Sequence, residues 1–468
     1  MEETYDKRYA MKSLLLFAGF VIMVMYIETM LIPSLPSISK QFNIDAAQVS
    51  LVLSMYLVSG VALNPIIGKL GDIYGKKKIL VRVMIAYTIA VAMTGFAPSF
   101  TILLALRTIQ GIGLTIFPLA ISLIQEQFPK DKVPQALGIV GAMFGAGAAI
   151  GLPIGSFVSN AFGWQTTYHT AVPFVALFSI LIYFYIKESK YTRPNVKVDY
   201  KGAVGLAAFL ALLVFALSNG SVFGWTSPLI LGLIAAALVI LFFLNRFEKK
   251  IDYAIIDRKL LAIRNVLSSN LIVFVIGLGF FLAYQTLAYQ FESAAPAGFG
   301  ESIFLTGLSM VPFAIMMLIV APLVGRWVGR FGTKPFYLIG SAIAIVGFVV
   351  AAFSKSALEL SVAAMLIGAG LSALNIPNVN SLLLSVERQT AGLATSMNAV
   401  FRFLGSALGA PVAGVFIASF GTKAAFQYSF FFAIAMFAIV AILSLYSDEV
   451  LGPNTHAKYK QQIVIKEA

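Results

Sequence analysis

The 468-residue sequence contains no cysteine and only two histidines, His169 and His456. Disulfides, thiol catalysis and Cys-based metal sites are thereby excluded, and a His-based site has little to build on. Charge is scarce too: Asp, Glu, Lys and Arg make up 11% of the chain. No Gly-x-x-x-x-Gly-Lys-Ser/Thr loop occurs, which excludes an ATP-driven pump. No nucleophile, metal cluster or acid–base pair stands out, so enzyme chemistry has no support and neither cofactor nor metal is expected. The amino terminus, Met-Glu-Glu-Thr-Tyr-Asp-Lys-Arg, is mixed in charge and precedes an apolar run too long for a signal-peptide core. It reads as a cytoplasmic tail before a retained first span.

The chain is instead 59% hydrophobic, with mean hydropathy +0.91. A soluble protein of this length could not hide so much apolar surface, so its solvent is lipid. Apolar stretches near the spanning length give fourteen expected spans, near 12–35, 47–69, 79–97, 100–126, 134–161, 166–187, 200–219, 226–246, 265–290, 302–326, 335–354, 357–384, 391–419 and 424–446. An even number puts both termini on one side. With a cytoplasmic amino terminus, 28 of the 33 Lys and Arg fall inside, three fall outside (Lys40, Lys355, Lys423) and two lie within spans (Arg107, Arg402). That asymmetry sets the orientation and accounts for the net charge of +13, which in a soluble protein would suggest nucleic acid. The expected location is the cell membrane, with the bilayer as partner and no nucleic acid.

An internal repeat organises the spans. Gly68-Lys-Leu-Gly-Asp72-Ile-Tyr-Gly75-Lys-Lys-Lys-Ile-Leu80 returns in degenerate form as Gly325-Arg-Trp-Val-Gly-Arg-Phe-Gly332-Thr-Lys334, 257 positions on, each copy preceded by a proline (Pro65, Pro322). Gly111-Ile-Gly113 matches Gly368-Ala-Gly370 at the same offset, Gly151-Leu-Pro153 matches Gly409-Ala-Pro411 at 258, and Gly163 matches Gly421. Several matches at one offset make chance an unsatisfying account, although Gly and Pro are common in membrane helices. The expected architecture is all-α and membrane-integral: fourteen transmembrane helices in two parallel six-helix repeats plus two inserted helices. Its divisions are a first half over 1–190, the insert with its linker over 191–250, a second half over 251–448 and a cytoplasmic tail over 449–468. Parallel repeats about an axis along the membrane normal are a transporter architecture, with the substrate site between halves.

These residues resemble the major facilitator superfamily over nearly the whole chain. Gly68 to Leu80 resembles its loop signature between helices two and three, with Tyr74 and Lys77 as variants. Leu106-Arg107-Thr-Ile-Gln110-Gly111-Ile-Gly113 is similar to the fourth-helix motif of proton-coupled members. Gly138 to Gly155, including Gly147, Gly151, Pro153 and Gly155, resembles the fifth-helix motif of antiporters, although Gly151-Leu-Pro153 replaces the usual adjacent Gly-Pro. Tyr26-Ile-Glu28-Thr29-Met-Leu-Ile-Pro33-Ser-Leu-Pro36 and Ile256-Asp257-Arg258 to Asn265 resemble motifs of the fourteen-helix drug:proton antiporter branch, with Glu28 where Asp is more usual. The resemblance implies that Asp72, with Gly68 and Gly75, forms a conformational latch that engages a neighbouring half. Helix capping is the plainer alternative for Asp72.

Of 20 acidic residues, Glu28 alone lies clearly inside a span. Counting about 1.5 Å per residue puts it at a depth similar to Arg107. A lone charge there costs at least about 3 kcal/mol, so each should face a cavity or a partner. Glu28 as proton carrier, tuned by Arg107, is one reading; a structural ion pair is the other. Weaker candidates for a substrate cavity are Tyr56, Asn64, Tyr284, Gln285, Tyr289, Asn375, Asn378 and Arg402, with helix packing as the alternative. Glu292 stands near a span end. The expected function is proton-driven export of lipophilic, often cationic, small molecules by a monomer. The alternatives are a dedicated exporter of one compound such as tetracycline, a lipid or a metabolite, and, from another class, a non-transporting sensor or scaffold.

Overall fold

In the computed structural model, residues 7–128, 133–189, 191–192, 197–251, 254–387, 390–420 and 423–451 are described. His456 and Gly421 lie outside them. The described residues form helices and no strand: α1 (Lys7–Thr29), α2 (Leu35–Phe42), α3 (Ala46–Val49), α4 (Leu51–Tyr74), α5 (Lys76–Thr94), α6 (Phe100–Gln110), α7 (Ile116–Gln127), α8 (Val133–Phe162), α9 (Trp164–Tyr185), α10 (Tyr200–Phe223), α11 (Pro228–Glu248), α12 (Arg258–Leu261), α13 (Arg264–Glu292), α14 (Ile303–Phe331), α15 (Thr333–Phe353), α16 (Ala357–Leu383), α17 (Ala391–Phe420) and α18 (Lys423–Tyr446). Helix is the form that lets lipid-buried backbone satisfy its own hydrogen bonds.

Thirteen helical segments among the described residues are long and apolar enough to cross a membrane. At the position of the third expected span stands α5, whose Lys76, Lys77, Lys78 and Arg82 make it more polar than the others. It nonetheless runs antiparallel to the α6–α7 segment: Lys76 pairs with Glu126 near one end, and Thr94 accepts a hydrogen bond from Gln110 further along. The first expected span continues beyond residue 35 through a 3-10 turn (Ile32–Ser34) into α2, an elbow at the start of which Pro33 and Pro36 sit at helix-compatible first-turn positions. The fourth is broken by a 3-10 turn at Gly111–Thr115.

The helices of the first expected half, α1 to α9, meet those of the second, α13 to α18, along two seams, α8 against α14 and α4 against α17. Helix α10 packs over the second seam and carries α11 on its outer side. Repeat-related glycines make equivalent contacts: Gly111 lies on the backbone carbonyl of Tyr56 and Gly368 on that of Phe313, partners again 257 positions apart.

The Gly68–Leu80 signature, expected as a loop, is almost entirely helix. Gly68 and Gly71 are inside α4, Lys76 to Leu80 open α5, and Gly75 alone is the break. Gly332 plays the same part between α14 and α15. Both adopt positive φ, +105° and +92°, a region costly for residues with a Cβ. Each connection is then capped by a carboxylate from beyond the last helix of its half. Glu188 accepts from the backbone N–H groups of Lys77 (2.8 Å) and Lys78 (3.0 Å); Glu449 accepts from those of Thr333 (2.7 Å) and Lys334 (2.9 Å). A negative charge on a helix amino terminus satisfies orphan donors and opposes the dipole. Residues 449–451 of the expected tail are therefore docked, and 452–468 lie outside the described residues.

Burial raises the Glu449 carboxyl, but the donors of Thr333, Lys334 and Leu451 outweigh it and hold the pKa below the usual carboxylate value. Its contribution to stability is thus present above the unfolded pKa and lost as pH falls through the folded one. Glu449→Gln is expected to lower the thermal unfolding midpoint in detergent at neutral pH, with the gap to the parent closing in acid.

Candidate functional site

Glycine packing places the first charged residue. Gly147, Gly151 and Gly155 recur every four residues on α8, and a Cβ on any of them would strike α1 at Ile22 and Met25, at Tyr26 and Thr29, or at Met30. Without side chains on this stripe, α1 lies directly on α8. Pro153 lies inside α8, half-buried. The contact fixes the face of α1 that carries Glu28.

Arg107 comes from the end of α6 and is fully buried. Its Nε donates to the Val52 carbonyl at 2.9 Å, and its Nη1 donates to Gln110 Oε1 at 2.9 Å. Gln110 in turn donates to Thr94 Oγ1 at 2.5 Å, and Thr94 donates to the Ala90 carbonyl. The Tyr56 ring lies 4.4 Å from the guanidinium carbon, a desolvated cation–π contact worth about 2 kcal/mol. Gly111 and Gly113, in the 3-10 turn that follows, give Tyr56 and Tyr87 room to close around the arginine.

Glu28 Oε2 and Arg107 Nη2 face each other at 3.6 Å, and neither atom makes a hydrogen bond. The ion pair is electrostatic rather than bidentate. Tyr87 and Tyr168 are buried within electrostatic reach of both charges, and neither hydroxyl meets hydrogen-bond geometry. The arginine is therefore anchored by neutral acceptors, and the carboxylate faces both the arginine's charge and the Tyr56 hydroxyl.

The other expected residues divide between several places. Asp72 pairs at 3.4 Å with Lys76, one turn on, and Lys76 also pairs with Glu126 of α7. These partners all belong to the first half, so the expected engagement of a neighbouring half is not what the described contacts contain. Gly68 meets open space and brings no helix close; of the signature's glycines, Gly71 makes the helix contact, against Leu119. Arg402, expected without an acidic partner, donates to Asn375 Oδ1 at 2.8 Å. Asn378 accepts from Tyr337 at 3.5 Å and donates to Asn398, which donates to Asn270, an amide chain in the second half. Asn64 is half-buried on α4. Tyr284 packs its ring on Phe280 and Phe313, the helix-packing alternative.

Gln285, Tyr289 and Glu292 lie on one stripe of α13 and meet the elbow of the first half. Gln285 Nε2 donates to the Ala46 carbonyl at 2.8 Å, the Tyr289 hydroxyl faces Ser39, and Glu292 lies within electrostatic reach of Lys40. Close contacts follow the same division between the two faces. At this face Gly307 presses on Leu152 and Ser156, and Gly414 on Ala46 and Ala47. At the basic face Gly141, Gly325 and Gly329 of the first seam and Gly68 and Gly392 of the second meet open space. Both seams are closed at the elbow face.

The carboxylate caps Glu188 and Glu449, with Thr94, Tyr87 and Tyr168, escaped the sequence reading. The two caps had a signal: each half carries a carboxylate just past its last apolar run, Glu188 in the first and Asp448 and Glu449 in the second. The tyrosines had none, since only folding brings them to Arg107.

The described residues thus form an all-helical membrane bundle with two seams and a buried charge pair. The model of the Major Facilitator Superfamily matches residues 16–227 and 271–464, and the chain belongs to that superfamily. It is similar to Multidrug resistance protein 3 of Bacillus subtilis (strain 168), 29% identical over 379 residues, which cover 78% of this chain and 71% of that protein. It is also similar to Multidrug resistance protein Stp of Mycobacterium tuberculosis, 26% identical over 412 residues, 86% of this chain and 75% of that one. Among solved structures, a bacterial homolog of the human lysosomal transporter Spinster, inward-facing and unoccupied, superimposes with TM-score 0.67 at 15% identity, over 94% of this chain and 98% of that one. That likeness concerns the fold.

Arg107→Ala leaves Glu28 buried without its counter-charge and is expected to cost about 3–5 kcal/mol. Arg107→Lys keeps the charge but not the fork that reaches both Val52 and Gln110, and should fall between Ala and the parent. Unfolding midpoints in detergent check both.

Proposed function

We infer that the chain is a proton-coupled antiporter exporting lipophilic, often cationic, small molecules by alternating access, with fourteen transmembrane helices. The observation that carries this reading is the anchoring of Arg107 by Val52 and Gln110, with Glu28 facing its Nη2 by charge and sharing no hydrogen bond with it. Glu28 can gain a proton without Arg107 losing a hydrogen bond. When Glu28 is neutral, Arg107 is an uncompensated cation; when Glu28 is charged, the pair is balanced. A cationic substrate and a proton then compete for the same carboxylate, and that competition is what antiport needs. Two relatives named as multidrug resistance proteins support the substrate class.

On this reading α5 is the fourteenth span, the basic face is cytoplasmic and the molecule is open inward. The parallel-repeat layout, with α10 and α11 as the insert, is supported by equivalent glycine contacts and carboxylate caps in the two halves. The second half has Gln285 where the offset of 257 places Glu28's counterpart, and Ala364 where it places Arg107's. Proton coupling accordingly belongs to the first half.

The test uses proteoliposomes with an imposed pH gradient and a panel of lipophilic cations, anions and neutral compounds. The parent should exchange lipophilic compounds for protons. Glu28→Gln should fold, bind cationic substrate more weakly and lose pH-driven transport, while keeping substrate-driven equilibration of neutral compounds. Accumulation of substrate together with protons, or full pH-driven transport by Glu28→Gln, defeats the proposal.

A further inference from the structure

Helix α5 begins with three lysines, the wrong charge for a helix amino terminus. Lys76 is offset by Asp72 and Glu126. Glu188 is the one carboxylate beside Lys77 and Lys78, and it is already engaged by the backbone N–H groups of Lys77, Lys78 and Ser189. Lys77 lies over the Tyr183 ring at 5.6 Å. Lys78 and Arg82 are exposed and have no ion pair among the described residues.

These groups line a groove of about 410 Å³ between the start of α5 and the end of α9, formed by Lys77, Lys78, Val81, Arg82, Tyr183 and Glu188. Arg82 lies about 9 Å along the helix from Lys76 at about 1.5 Å per residue. A basic side chain near a helix end lays its stem on apolar surface and keeps its head in the interface. Below it the same helical face continues as Ile85, Ile89 and Met93, exposed by 51%, 55% and 54%. The strip at 78, 82, 85, 89 and 93 therefore runs from two cations into three apolar side chains. It has the charge and apolar profile of an amphiphile with an anionic head.

We propose that this groove binds one anionic phospholipid, its phosphate held by Lys77, Lys78 and Arg82 and its acyl chains laid on Ile85, Ile89 and Met93. The repeat supplies an internal contrast. At the offset of 257 the cations become Lys334, Pro335 and Ile339, and the Lys334 ammonium is turned to the Leu445 carbonyl. The site exists in one half only. It also gives a physical reason for a spanning helix to carry Arg82.

Native mass spectrometry of the full-length protein in detergent tests this, with phosphatidylglycerol and phosphatidylcholine of equal chain length added separately. Inorganic phosphate and glycerol phosphate serve as headgroup-only competitors. Phosphatidylglycerol should be retained at one equivalent in preference to phosphatidylcholine, and the double variant K78Q/R82Q should weaken it about tenfold or more. The double variant K249Q/K250Q, which loses the same charge elsewhere on the basic face, should leave retention unchanged. Arg82→Lys should keep most of the affinity, which separates loss of the site from misfolding. Equal retention of phosphatidylcholine, equal loss in both double variants, or displacement by phosphate without acyl chains would overturn the proposal. None of these readouts depends on proton coupling.

Discussion

Arg107 is a full positive charge with no access to water, and much of the first half is arranged around that constraint. A guanidinium in such a place must have its donors filled, and the nearest filling groups are neutral: a backbone carbonyl of α4 and an amide one turn along its own chain. Thr94 orients that amide, a 3-10 turn with two glycines follows it, and Tyr56 lies beneath the cation. Glu28 then faces the guanidinium by charge without holding it through a hydrogen bond. Had the carboxylate been the main anchor, neutralising it would have broken the arginine's hydrogen bonds as well.

The repeat is mechanical and the chemistry is not repeated. Both halves use a positive-φ glycine, a one-residue link and a distant carboxylate to join consecutive helices. Both press a glycine of the fourth span of the half onto a carbonyl of its second span. At the positions of Glu28 and Arg107, however, the second half carries Gln285 and Ala364. Gln285 instead closes the elbow face by bonding to Ala46. One half binds charge, and the other supplies a surface that shuts against it. Small residues at both seams suit a pair of rigid bodies that separate at one face and meet at the other.

Much of this was legible in the sequence because membrane helices announce themselves by composition, and repeats by spacing. The Glu28–Arg107 pairing was legible as well, since two charges at matching depth in lipid have few alternatives to each other. What failed was local. Gly68 to Leu80 reads as a loop by its charge and glycine content, but lipid and the next helix leave room for one break, at Gly75. Partners that come from distant segments, such as Glu188 and Tyr168, carry no mark in the order of residues.

The sequence alone determined that the chain lives in lipid, that it is helical, that it repeats at an offset of 257, and at what depth Glu28 and Arg107 sit. These follow from transfer free energy and from helical rise, which depend on composition and position. The tertiary structure decided which groups hold Arg107, which carboxylates cap α5 and α15, and which face of the bundle is shut. Those depend on the meeting of side chains from remote segments, and only packing brings them together.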